Sequence, residues 1–439
     1  MNTVRAAFHS QALRAMAGRL SWGLADQAVS SMTNFAVSIV VARTLGAVEF
    51  GIFTLAWVTY GVVLNISRGL ATDPLTVRFS GVPRADWRQA VPRSCGTAIG
   101  VGATAGVLSI AAGTAIGGSL GSAFIALGLI LPALLWQDSW RFAFFAAGEG
   151  RRAFTNDMVW AGALIPALML AASTGSVFGF LLAWGGAAAV AAMFGWAQTG
   201  LMPHAGGVGP WLRQQRDLGP RYLVENVSIS GAVQVRMYGL GAIAGLADVG
   251  AVRGADLLLG PFIAVTMGLA LVAVPEASRV LRSHPRRLRL FCLGLGGLQV
   301  GGALMWGLGL LVLLPNELGL GLLGEVWPAA SVLLIPATLA VAGVGLSNGA
   351  TAGLRALGAA RRSLRCQLAA AAGLITGGLL GAAIADASGS AWGVAIAAWC
   401  AAIFWWTQLH AGLRDHSRRT MAPGGSPVAT TIGNEGVNT

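Results

Sequence analysis

Apolar runs of roughly twenty residues follow one another along this chain with little between them, and each is long enough to cross a bilayer as a helix. Twelve spans are read, at about 20–43, 50–72, 94–117, 121–147, 154–174, 176–200, 221–246, 249–276, 290–314, 327–352, 365–386 and 389–413. The pattern predicts an all-α polytopic membrane protein. Composition agrees: 55% of residues are hydrophobic and only 10% charged, against about 25% charged in a soluble domain. Sixty-three glycines suit close approach of membrane helices.

The polar connections then orient the spans. Lysine is absent, and the net charge of +12 rests on 29 arginines. The N-terminal segment, the loops at 78–93, 148–153, 201–221, 277–289 and 353–365, and the tail hold 24 of them, whereas the alternate loops hold only Arg43 and Arg253. The positive-inside rule places both termini and the basic loops in the cytoplasm, in a cell (inner) membrane. The charge therefore marks topology and anionic lipid contact, and no nucleic-acid partner is expected. The four cysteines are scattered without metal spacing and read as unpaired core thiols.

The chain also repeats itself. "LADQ" (24–27) matches "LVEN" (223–226) at a spacing of 199, which also pairs Gly46 with Gly245 and Gly51 with Gly250. Pro74 and Arg78 match Pro275 and Arg279 at 201, and "AAGEGRR" (146–152) matches "ALGAARR" (356–362) at 210. Four matches in one order imply two copies of a six-span unit. Six is even, so both copies enter from the same side and the repeat is parallel. The expected organisation is a basic N-terminal segment (1–19), a first bundle (20–200), a linker (201–220), a second bundle (221–413) and a disordered tail (414–439). Folds of this kind place their substrate in a central cleft between the halves and work by alternating access.

Ionisable groups inside a bilayer are expensive and face a cavity or one another. Asp26 and Glu225 occupy matching places early in spans 1 and 7, each followed by an amide, and are candidates for coupling or gating. Asp73 lies near the inner end of span 2, and "WQDSWRFAFF" on span 4 carries Gln137, Asp138 and Arg141. Asn156 and Asp157 stand just inside span 5. The spacing predicts local i, i+3 ion pairs for Asp138 with Arg141, Arg253 with Asp256, and Glu276 with Arg279. Arg236 has no acid within a turn of its own helix and is the sharpest candidate for an anionic ligand, followed by Arg141 and Arg68, with Gln137 and Asn34 as polar helpers. Asp138 and Asp73 join the coupling candidates. P-loop, GxSxG and HExxH motifs are missing, so neither catalysis nor a cofactor is expected.

"DQAVSSMTNFAVSIVVARTLGAVEFGIF" (26–53), "LLWQDSWRFAFFAAGEGRRAFTNDMVW" (134–160), "LLLGPFIAVTMGLALVAVPEASR" (257–279) and "LLGEVWPAASVLLIP" (322–336) together resemble the polysaccharide-biosynthesis flippases of the multidrug/oligosaccharidyl-lipid/polysaccharide exporter superfamily. The resemblance implies two six-helix bundles around a cleft that alternates between inward and outward openings. It also implies transfer of a polyprenyl-pyrophosphate-linked saccharide to the outer leaflet, with Arg68, Arg141 and Arg236 as the cations for the pyrophosphate. Glycosyltransferases and a polymerase of polysaccharide assembly are the implied protein partners. Two other readings stay open: a cation-coupled multidrug antiporter of the same superfamily, and a membrane-embedded enzyme of polysaccharide assembly.

Overall fold

The computed structural model describes residues 2–421, apart from the side chains of residues 2–21, 23, 24, 221, 224, 225, 227–229, 270–272, 275, 360 and 419–421. Among the described residues nine helices are long and apolar enough to cross a membrane. Two of these are pairs joined across a kink. The first, Asn2–Ser67, breaks at Gly46, and the last, Ala360–Met421, breaks at Ala385 and Asp386. Dividing them and adding Gly219–Ile243 gives twelve membrane helices. These are α1 (2–45), α2 (47–79), α3 (Arg84–Ile116), α4 (Gly118–Ala146), α5 (Gly150–Thr174), α6 (Val177–Thr199), α7 (Gly219–Ile243), α8 (Leu246–Ser283), α9 (Leu288–Leu313), α10 (Leu334–Ala356), α11 (360–384) and α12 (387–421). Within α2 the stretch Arg68–Thr72 is π-helical.

At the N-terminal end the backbone of the basic segment is helical from Asn2 and continuous with α1; the side chains of residues 2–21 lie outside the described residues. At the other end α12 continues to Met421, past the point where a disordered tail was expected. Residues 422–439 of that expected tail lie outside the described residues. The linker contains a short helix, Val208–Gln214, whose Trp211 is buried and donates to the Leu70 carbonyl at 3.0 Å.

The two halves share one packing plan. In the first, α3 packs on α4, α4 and α5 on α6, and α1 on α5; in the second, α9 packs on α10, α10 and α11 on α12, and α7 on α11. Backbone conformations repeat at the predicted spacings. Gly46 (φ 77°, ψ 179°) and Gly245 (φ 108°, ψ 172°) form the α1–α2 and α7–α8 corners. Gly148 and Gly358 carry φ of 73° and 67° in the two "GEGRR/GAARR" turns. Such φ values are open to glycine and costly for other residues, so the duplicated glycines preserve the corners.

The halves meet along α2 and α8 near these corners, and here the contact is reciprocal. A methyl group on Gly51 would collide with the Leu246 carbonyl, and one on Gly250 with the Ala47 carbonyl. Since 47 and 246, like 51 and 250, are 199 apart, each glycine packs on its counterpart's neighbour, the signature of a two-fold related interface. At the opposite ends α2 lies on the start of α7: Asn226 donates to Asp73 (2.8 Å), and Gly69 packs against the backbone of Leu223.

Candidate functional site

A polar network threads the first half. Arg68 reaches from the π-helical turn of α2 to grip Asp138 of α4 with both Nε (3.1 Å) and Nη2 (2.7 Å), the bidentate fork that guanidinium and carboxylate geometry favours. Its guanidinium carbon lies 5.0 Å from the centroid of Phe142, a cation–π distance. One turn along α4, Arg141 projects toward α1 and α5. Its Nε lies 2.5 Å from Asp26 Oδ2 and 3.6 Å from Asp157 Oδ2, and its Nη2 donates to Gln27 Oε1 at 3.1 Å. Gln137 donates to Asp157 (2.8 Å) and Asn156 (3.4 Å), and Asn156 donates to the Ala191 carbonyl on α6 (2.7 Å). Asp26, Asp157 and Asn156 are buried, with Asp26 Oδ1 unpartnered. Three carboxylates thus share two guanidiniums, and four helices are tied together through them.

The second half is built differently. Arg236 on α7 lays its stem on Gly378 of α11 and points Nη2 at Asp256 of α8, 3.6 Å away. Its Nε is buried without a partner. Arg253, one turn before Asp256, lies 5.7 Å from the Trp57 ring of α2. Two guanidiniums therefore attend one carboxylate, and the Asp256 side chain is still 40% accessible deep among the helices. Trp57 in turn stacks on Trp184 of α6 (4.7 Å), and Tyr60 meets Trp184 edge-on (4.8 Å). Thr59 of α2 hydrogen-bonds Tyr238 of α7 at 2.5 Å, and Gln234 donates to the Thr59 hydroxyl at 3.3 Å. These are the polar ties across the middle of the cleft.

Several sequence expectations change. Asp138 does not pair with Arg141, because both side chains find tighter partners on other helices. Arg253 and Asp256 likewise make no ion pair within 4 Å; Asp256 turns to Arg236, which is therefore not without an acid. Only Glu276 and Arg279 form their local pair. Asp73 sits apart from the network and accepts from Asn226 at the α2–α7 seam. Asn34 is half-buried, its Oδ1 unpartnered. The side chain of Glu225 lies outside the described residues. Asp256 was assigned to a neighbour on its own helix, and Trp57, Thr59, Tyr60 and Tyr238 carried no signal distinguishing them from ordinary span residues. Asp157 was visible as an acid inside span 5, but its partner Arg141 lies 16 positions away and is brought to it only by helix packing.

No protein-family model and no curated protein matches the chain. Among solved structures it is similar to an inward-facing multidrug-resistance MATE family transporter of the MOP superfamily, with TM-score 0.72 and 15% identity over 90% of this chain and 96% of that one. It is also similar to the lipid II flippase MurJ in an inward closed conformation, with TM-score 0.67 and 11% identity over 91% and 90%. An outward-facing MATE transporter matches with TM-score 0.55 and 13% identity over 90% and 94%. The fold is therefore that of the MOP transporters: twelve helices in two parallel-repeat bundles around a central cleft.

Proposed function

We propose that this chain is an alternating-access transporter that moves a polyprenyl-pyrophosphate-linked saccharide from the cytoplasmic to the outer leaflet. One observation carries the reading: in the second half Arg236 and Arg253 both lie near the single carboxylate of Asp256, and only Arg236 pairs with it. That leaves one formal positive charge, with Arg253 5.7 Å from the Trp57 ring and the Arg236 Nε unpartnered. A phosphate group supplies the missing acceptor for a guanidinium fork, and aromatic rings offer apolar faces to a sugar. The structural likeness to a lipid II flippase supports the same direction.

The network of the first half supports a coupled mechanism. With Asp26, Asp138 and Asp157 ionised against Arg68 and Arg141, one negative charge is left among largely buried carboxylates, and such a charge is neutralised by a proton or a small cation. Uptake and release there shift the α1–α4–α5 contacts, and α1 leads directly into the Gly46 corner. The same observation favours the second reading, a cation-coupled antiporter for small molecules, so the substrate is what the experiment decides.

Purified protein reconstituted in vesicles is given a labelled polyprenyl-pyrophosphate saccharide, and its appearance in the opposite leaflet is followed with and without a pH gradient. Transfer that falls at least about tenfold in Arg236→Ala is expected, matching the loss of one charge-assisted contact of ~1.5–3 kcal/mol. Export of lipophilic cations with no movement of the lipid-linked saccharide would replace this function with the antiporter.

A further inference from the structure

Away from the cleft, α9, α10 and α12 enclose a cavity of about 750 Å³ at the ends that the positive-inside rule assigns to the cytoplasm. Its walls are apolar at one end and cationic at the other. Leu293, Ile403 and Trp406 line the deep part, with Leu293 42% and Ile403 64% exposed. Trp406 is fixed there by its indole, which donates to the Leu346 carbonyl at 3.1 Å. Arg289, Arg414 and Arg418 line the mouth, and among the described residues none of the three has an ion-pair partner. Asp415, the one acid in the lining, is held by Arg362 at 2.7 Å, and Arg362 also donates to Gln408. Three guanidiniums therefore converge on a cavity whose only carboxylate is already paired.

The dimensions match one leaflet. Ile403 to Arg414 is eleven residues on one straight helix, or ~16 Å at 1.5 Å per residue, about half of a ~30 Å hydrocarbon core. The residues face one way because 403, 407, 410, 414 and 418 recur at helical spacing. We infer that this groove is a binding site for an anionic glycerophospholipid of the cytoplasmic leaflet, with its phosphate between Arg289, Arg414 and Arg418 and one acyl chain along Leu293, Ile403 and Trp406. Basic pockets between membrane helices on this side select anionic headgroups, and the open apolar wall admits a chain from the bilayer. The site stands on α9, α10 and α12 alone and does not depend on what the cleft carries.

The test uses the full-length chain in a zwitterionic detergent, titrated with dioleoyl phosphatidylglycerol or with dioleoyl phosphatidylcholine, which share acyl chains. Phosphatidylglycerol is expected to remain bound in native mass spectra and to raise the unfolding temperature, and phosphatidylcholine to do neither. Each of Arg289→Gln, Arg414→Gln and Arg418→Gln is expected to weaken phosphatidylglycerol about fivefold, and Ile403→Glu to abolish retention with the arginines intact. Equal effects of the two lipids, an equal rise with inorganic phosphate alone, or undiminished phosphatidylglycerol binding in the triple arginine variant overturns the assignment. Preferential retention of a polyprenyl-pyrophosphate saccharide in the same groove overturns it too. Because the native arginines lack protein partners, the glutamine variants keep the fold, and an unchanged unfolding temperature without lipid verifies that.

Discussion

The two halves have the same scaffold and opposite sites. In the first, buried Asp26 and Asp157 close on Arg141, Arg68 grips Asp138, and acids outnumber cations. In the second, Arg236 and Arg253 outnumber Asp256, Arg236 stands 3.6 Å from it, and the carboxylate stays 40% accessible. At the repeat spacing of 199, Arg236 stands where the first half has Val37; at 210, Arg141 stands where the second has Thr351. Duplication kept the glycines that shape corners and contacts, and the charged positions diverged over them. On the proposed function the difference divides the labour: a largely buried, over-acidic network for a proton or cation, and a looser, cationic wall for an anion.

The sharpest way to break that contrast is to remove one arginine from each half. Arg141→Ala leaves Asp26 and Asp157 facing each other in a buried site, and loss of one partner of a buried pair costs about 3–5 kcal/mol. Thermal unfolding in detergent is expected to show a large drop, recovered in good part by adding Asp26→Asn. Arg236→Ala removes one 3.6 Å contact to a carboxylate that is 40% accessible and is expected to cost under about 1 kcal/mol while removing transport. Equal destabilisation by the two variants would end the contrast.

The glycine clasp is expected to behave alike in both halves. Gly51→Ala and Gly250→Ala each force backbone apart, at about 1–3 kcal/mol for overpacking. The variants are also expected to expose the corners, read as faster thiol labelling of Ala47→Cys and Leu246→Cys. A strong effect from one glycine alone would deny that the two contacts are equivalent.

Smaller effects sharpen the picture further. Arg68→Lys keeps the charge and loses the fork to Asp138; because Arg68 is part-exposed, about 1 kcal/mol is expected in unfolding measurements. Least of all, Asp217→Asn at the α2–linker surface is expected to leave the unfolding temperature unchanged. Asp217 accepts from Arg78 at 2.5 Å, and hydrogen bonding from its own backbone amide, with the nearby Arg78 charge, holds its carboxyl below the usual carboxylate range. Whatever it contributes is present at neutral pH and is lost as pH falls through that lowered value; its exposed position keeps it slight.

Helix number, repeat and corners were legible because they rest on local physics. A bilayer demands runs of fixed length, an even span count fixes the sense of the repeat, and a glycine at positive φ has few substitutes. Arg68, Arg141 and Arg236 were legible as costly intramembrane charges, and so were Asp26 and Asp138. Their partners were not. Spacing along one helix favoured Asp138 with Arg141 and Arg253 with Asp256, whereas packing gave Asp138 the fork of Arg68, Arg141 the carboxylates of Asp26 and Asp157, and Asp256 the guanidinium of Arg236, and left Arg253 over the Trp57 ring.

What the sequence determined by itself is the membrane class, the twelve crossings, the duplicated unit and the inventory of charges that must be satisfied inside it. What only the tertiary structure decided is how those charges are shared: a surplus acid in the first half, a surplus cation in the second, and three unpaired arginines over an apolar groove on α9, α10 and α12. Periodicity and cost of burial are properties of a segment, so a sequence carries them. The partner of a charge is set by which helices touch, over separations from 16 to 115 positions between Arg141 and its acids, and no local pattern records that.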